Sequence, residues 1–269
     1  MDRSQLAARG FLSGFALKLA AVFFMVIDHA TEATFQLWIP FLFRRGMNAA
    51  QMMMFKIFLR GLGRISFPLF VFLLVEGFFH TRDVKKYALS LFIFSLLSEC
   101  PFDLAVFRRT LEFSYQNVFF TLFLGILTLW GLEKYKGRKT IRFLICGGSL
   151  LLAELAGIDY GPHGIALILI MYFYRDQGVK RFIASALVYF ALYCGDTIYA
   201  LMKGQIKGDL ITEKLYLYSG FFLFVMALPA FLLIHFYNGK RGPAWNKYIF
   251  YAFYPAHLLL LAWIAGHFA

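Results

Sequence analysis

The chain has 269 residues, 61% of them hydrophobic and 20% aromatic, with a formal net charge of +12 and a mean hydropathy of +0.67. A soluble domain averages about 45–50% apolar residues; here apolar runs of about eighteen or more recur along the chain, which excludes an ordinary soluble domain and indicates an all-α, polytopic integral membrane helical bundle. Strand alternation is absent, which argues against a β-barrel. The positive charge then reads as loops that orient the protein and meet anionic lipid head groups, not as a nucleic-acid surface.

Residues 1–13 are short, polar and basic, and no small-residue cleavage site follows, so the first apolar run reads as an uncleaved span. About nine spans are predicted, over 14–36, 62–80, 84–101, 116–133, 141–157, 163–174, 181–202, 215–237 and 247–267, in one transmembrane domain covering 1–269. The sixth is short for a crossing, as a half-helix would be. Residues 37–60 hold the apolar fragment Trp38–Phe43 and the Met-rich Met52–Leu59, and read as an interfacial amphipathic piece, with a tenth span as the alternative. With the N-terminus inside, 16 Lys and Arg residues fall on the cytoplasmic side and 10 outside, so a multi-pass protein of the cytoplasmic (inner) membrane with a cytoplasmic N-terminus is expected. Cys100, Cys146 and Cys194 lie in or beside apolar runs without a CxxC, so neither a disulfide framework nor a zinc site is indicated.

The first span, LKLAAVFFMVIDHATE, carries Lys18, Asp28, His29 and Glu32. Ionisable groups inside a span are expensive and are functional candidates by default. Lys18 and His29 are eleven residues apart, so they share a face about 16 Å apart along the axis. Asp28 and His29 lie one turn from Glu32. A polar cluster at the interface, with Lys18 snorkelling, is the plainer alternative.

Span two opens near Arg64 and ends with Glu76 and His80 at i,i+4, where the two can pair, as site members or as a structural lock. In SECPFDLAVF, Glu99 and Asp103 flank Pro101, where the helix is expected to break. Gln116 and Asn117 open span four, either as caps or as amides aimed into a cavity, with Thr121 one turn on. The turn ELAGIDYGPHG gathers Glu154, Asp159, Tyr160 and His163 among glycines and Pro162; such backbone is tolerated at membrane depth only against protein or water. Asp196 sits in span seven, and Pro255 and His257 interrupt the last. Glu76, His80, Glu99, Asp103, Asn117, Asp159, His163 and His257 are expected to face one interior cavity with His29, because burying so many polar groups against lipid is too costly.

The stretches LKLAAVFFMVIDH, GRISFPLFVFLLVEGFFHTRDVKKY, SECPFDLAVF, QNVFFTLFLG, DYGPHG, YNGKRG and FYPAHL resemble the TraX family of membrane proteins, whose founding activity is N-terminal acetylation of conjugative pilin. They spread from residue 17 to 260. That family in turn resembles the transmembrane acyltransferases that modify surface polysaccharides, which carry a basic residue, ten intervening residues and a histidine in the first span. Lys18 to His29 has this pattern, with lysine where arginine is usual, and lysine offers a point charge instead of a bidentate fork. The resemblance implies acetyl-CoA as cytoplasmic donor, no metal, and a protein or glycan acceptor on the outer side.

The expected activity is therefore transfer of acetyl from acetyl-CoA to an amine or hydroxyl. His29 would be the general base and Asp28 or Glu32 would fix its tautomer. Lys18 and Arg64 would bind the acetyl-CoA donor, with Lys18 on the donor path, and Arg64, Asn117 or His163 would stabilise the oxyanion. Gln116 and Tyr160 complete the cavity lining. A transporter or flippase with an intramembrane Asp/Glu/His relay is the rival from another class; no internal repeat of the kind many transporters show is visible. A non-catalytic assembly or scaffold protein is the third.

Overall fold

A computed structural model describes residues 10–203, 210–243 and 247–268; within these, the side chains of 196, 197, 200, 201, 210–217 and 247 are not described. Arg3, Arg9 and Lys207, which entered the charge count, and the side chains of Asp196, Lys214 and Lys247 thus lie outside the described residues. The described residues form eleven helices: α1 Gly14–Arg44, α2 Ala49–Gly63, α3 Ser66–His80, α4 Val84–Val106, α5 Val118–Lys134, α6 Lys139–Leu155, α7 Gly161–Phe173, α8 Gly178–Met202, α9 Leu210–Ala227, α10 Pro229–His235 and α11 Lys247–His267. Beyond these, two isolated parallel bridges occur, Leu12 with Tyr237 and Gln116 with Ile158.

Among the described residues five stretches are long and apolar enough to cross a membrane: Gly14–Arg44, Ala49–His80, Val84–Val106, Tyr218–His235 and Tyr248–His267. The protein is a multi-pass helical membrane protein, with these five stretches set against the nine spans expected. Helices α5 and α6 have 17 residues each and α7 has 13, short of the roughly 20 a crossing needs. Residues 37–60 are divided between two helices. Trp38–Arg44 prolongs α1, and Ala49 begins a second long segment that runs on through α3. An Asn48–Gln51 capping box starts α2, with both bonds at 2.9 Å, so the hairpin tip between the two segments is only Arg45 to Asn48.

The chain divides into two compact units, one of residues 1–69 and 177–242, the other of 70–176 and 243–269. In the first, α1 and α2 run antiparallel. Following α1 backward from the tip, Phe35 meets Phe55, Glu32 meets Arg60, Asp28 meets Arg64 and the Ala21 carbonyl accepts the Ser66 hydroxyl at 2.9 Å. Thr31 and Thr34 return their hydroxyls to the carbonyls of Ile27 and Ala30, both at 2.7 Å, so neither is left unpaired in an apolar helix. The start of α1 is closed by Ser13, whose Oγ accepts the Ala16 N–H, and by the carbonyls of Lys240 and Arg241, which accept the N–H groups of Gly14 and Phe15. Helix α9 packs on α2 and α8.

In the second unit, α4 packs antiparallel on α5 and also on α11, while α5, α6 and α7 pack on one another. Pro101 was expected to end α4, yet the helix continues to Val106. Within apolar surroundings the backbone has few partners outside a helix, and transmembrane helices carry proline without unwinding. The same holds at Pro255 inside α11. The span expected over 215–237 is instead divided, α9 ending at Ala227 and Pro229 opening α10, the position where a missing N–H is harmless.

Candidate functional site

The polar residues of α1 are organised by α2. Lys56, Arg60 and Arg64 recur every four residues and so share one face. Arg64 Nη2 lies 2.7 Å from Asp28 Oδ1, and Arg60 Nη1 lies 3.0 Å from Oδ2, so both carboxylate oxygens take a guanidinium. Arg60 Nε is also 3.3 Å from Glu32, and the Lys56 ammonium is 3.8 Å from it. Arg60 and Arg64 donate further to the Asp28 and Arg60 carbonyls. The cluster thus sets three cations against two carboxylates. The Asp28 and Arg64 side chains are only 14% and 13% exposed, whereas Glu32 is 33% exposed.

Close approach of the two helices depends on Gly63, where an added Cβ would overlap the Asp28 carboxylate. Asp28 and Glu32, expected to orient His29, are bound to α2. Arg64, expected to meet an oxyanion or the donor, is bound to Asp28. Lys18 stands eleven residues before His29 on the same unbroken helix. Arg60 and Lys56 were not singled out from the sequence, although their spacing with Arg64 was there to be read.

The second unit holds a separate polar network at the end of α4. Asn117 is fully buried. Its Oδ1 caps α5 at the Phe119 N–H, 3.0 Å away, while its Nδ2 donates to the Ser95 carbonyl at 2.9 Å and to Glu99 Oε2. Asn117 therefore caps α5 with its carbonyl oxygen while its amide bonds to α4. Asp103, also fully buried, accepts the Glu112 N–H at 2.7 Å. The loop bearing Glu112 is self-braced: the Ser114 hydroxyl and N–H, and the Arg109 guanidinium, hold the Glu112 carboxyl below its ordinary range.

Gln116 turns its amide to the Phe113 carbonyl, and its backbone pairs with the turn at Gly157–Asp159 at 2.9 Å on both sides. Gly157 has φ +57°, and an added Cβ would meet the Ser114 carbonyl oxygen at 2.5 Å. The Asp159 side chain accepts the Tyr115 hydroxyl at 2.5 Å, and its carbonyl accepts Thr121 Oγ1. Tyr160 sits in the left-handed region at φ 61°, and Pro162 and His163 occupy the first turn of α7. So Glu99, Asp103, Gln116, Asn117, Asp159, Tyr160 and His163 all fall in the second unit, and one network of bonds joins Gln116, Asp159, Thr121 and Tyr115. Glu154 is exposed.

Glu76 and His80 do not pair through their side chains. Glu76 Oε1 takes Arg175 Nε at 2.7 Å, in a pair whose side chains are 14% and 13% exposed. A guanidinium outcompetes a neutral imidazole for a sheltered carboxylate. Arg175 also lies 4.0 Å over the Phe79 ring, which stacks on Tyr172, whose hydroxyl donates to Glu133 at 2.6 Å. His80 Nδ1 donates to the Glu76 carbonyl at 2.7 Å, a bond that assigns its proton to Nδ1, since a carbonyl only accepts. His257, 7% exposed on α11, donates likewise to the Phe253 carbonyl at 2.9 Å. Among the described residues no group of three or more His, Cys, Asp or Glu is placed to share a metal ion.

A family model described as TraX protein matches residues 13–265. The chain is also similar to a probable fimbrial assembly protein FimC, serogroup H1, of Dichelobacter nodosus, at 30% identity over 224 residues, covering 76% of this chain and 81% of that protein. No solved structure matches.

Proposed function

The chain belongs to the TraX family, and we propose that it is an integral-membrane acetyltransferase that modifies a pilin N-terminus, another surface protein or a glycan. Acetyl-CoA is the donor, taken from the cytoplasmic side of the inner membrane, where the N-terminus lies. The observation that carries this reading is the family match over nearly the whole chain, including the helix that bears Lys18 and His29. The printed name of the D. nodosus relative, a fimbrial assembly protein, supports an acceptor at the cell surface.

In this reading His29 is the general base. It takes a proton from the acceptor amine or hydroxyl as that atom attacks the thioester carbonyl, and imidazole is the side chain suited to do so near neutral pH. Asp28 and Glu32 are positioning residues: held by Arg60, Arg64 and Lys56, they fix the turn of α1 on which His29 stands. The surplus positive charge of that cluster favours the anionic oxygen that develops on the thioester carbonyl. Lys18 lies on the donor path, at a separation from His29 of about 16 Å.

The experiment is release of CoA by the purified full-length protein with an amine or a hydroxyl acceptor, alongside mass spectrometry for a co-purifying CoA species. Turnover dependent on acetyl-CoA and acceptor is expected. Lys18→Ala should raise the KM for donor more than it lowers kcat, and Lys18→Arg should be far milder. Absence of CoA release with every acceptor class, together with solute or lipid movement across vesicles, would replace the enzyme with a transporter.

A further inference from the structure

Glu99 and Asp103 stand one turn apart on α4, with Cβ atoms about 6 Å from each other, and near enough to feel each other's charge. Each carboxylate is oriented through one oxygen by amide N–H groups from elsewhere in the chain. Glu99 Oε2 accepts the backbone and side-chain N–H groups of Asn117, and Asp103 Oδ2 accepts the Glu112 N–H. The other two oxygens, Glu99 Oε1 and Asp103 Oδ1, are buried and accept no hydrogen bond. Asp103 as a whole has 0% of its surface exposed. The donors that hold the pair are neutral amides, and among the described interactions no cation offsets the two carboxylates. A buried pair of ionised carboxylates without a counter-charge is strongly disfavoured, and such groups are found protonated, paired or liganded.

We infer that Glu99 Oε1 and Asp103 Oδ1 form a binding site for a primary ammonium within the second unit. An ammonium carries three N–H donors and one positive charge. Two carboxylates one helical turn apart, each with one buried oxygen that accepts no hydrogen bond, suit it better than they suit calcium, which takes six to eight oxygens.

The test uses the full-length protein in detergent, with dodecylammonium and dodecanol as matched probes. Buried carboxyls are labelled with dicyclohexylcarbodiimide, and the adducts are mapped by mass spectrometry. Dodecylammonium should protect Glu99 and Asp103 about tenfold or more while dodecanol does not, and exposed Glu154 should label equally throughout. Glu99→Gln and Asp103→Asn should each weaken dodecylammonium binding about 30-fold or more, as loss of one partner in a buried charge pair does. Equal protection by dodecanol or by sodium ion, or no protection, overturns the site. The protection arm uses unaltered protein, so it decides even where a variant does not fold. Specific ammonium protection without any CoA release would sink the acetyltransferase reading and leave the site standing. CoA release onto amines without protection would do the reverse.

Discussion

The two units solve the same problem differently. In the first, the carboxylates of Asp28 and Glu32 are neutralised by Lys56, Arg60 and Arg64. In the second, Glu99 and Asp103 are held by amide dipoles, those of Asn117 and of the Glu112 backbone. Counter-charges satisfy a buried ion but also spend it; every oxygen of Asp28 is taken. Dipoles fix a carboxylate in direction without cancelling its charge, so they leave it able to meet a cation. A cluster rich in fixed cations suits developing negative charge, and one poor in them suits a positively charged ligand.

The largest expected effect tests the chemistry assigned to the first unit. His29→Ala should lower CoA release about 10²–10⁴-fold, the usual loss of a general base, while the protein still inserts and purifies. Near-normal turnover would make His29 a structural residue of the Asp28 cluster.

The next test concerns stability. Asp28→Asn removes the acceptor shared by two guanidinium groups and should destabilise the protein by about 3 kcal/mol, since breaking a sheltered pair strands its partners. Glu32→Gln, at a more exposed position, should cost under about 1 kcal/mol. Thermal unfolding in detergent reads both, and equal losses would deny the distinction between the sheltered and the rim carboxylate.

In the second unit Asn117→Ala deletes the α5 cap and the bonds to Ser95 and Glu99 together. A loss of about 2 kcal/mol is expected, from one cap and the stranded acceptors, and Asn117→Ser should recover the cap portion only. If serine restores full stability, Asn117 is a cap alone and the orientation of Glu99 does not depend on it.

The smallest effect is a topological one. Lys136 is exposed beyond α5, and Lys136→Cys should leave turnover unchanged and resist membrane-impermeant thiol reagents applied to intact cells. Ready labelling would reverse the orientation and move the donor to the other side of the membrane.

The membrane class, the helical content and the placement of Lys18 and His29 on one helix were legible in the sequence, because a bilayer leaves a chain few ways to satisfy its backbone and a helix has one period. The turn at Gly157–Gly161 was legible too, from its glycines and proline. Local pairings were less so. Glu76 and His80 are neighbours by spacing, yet Glu76 takes Arg175, 99 residues away. Asp28 is next to His29 in the chain and Glu32 is one turn from it, yet their cations arrive from α2. Proline rules written for water marked a break at Pro101 that an apolar setting does not permit.

By itself, then, the sequence determined what each element is and which polar groups share a helical face. Only the tertiary structure decided which counter-charge or dipole each carboxylate receives. That choice depends on the register between helices, set at contacts such as Gly63 against Asp28 and the pairing of Gln116 with the Gly157–Asp159 turn. Short-range spacing carries no information about which distant donor will arrive at bonding distance. In an apolar medium, where unpaired charge is most costly, that distant donor outweighs the local neighbour.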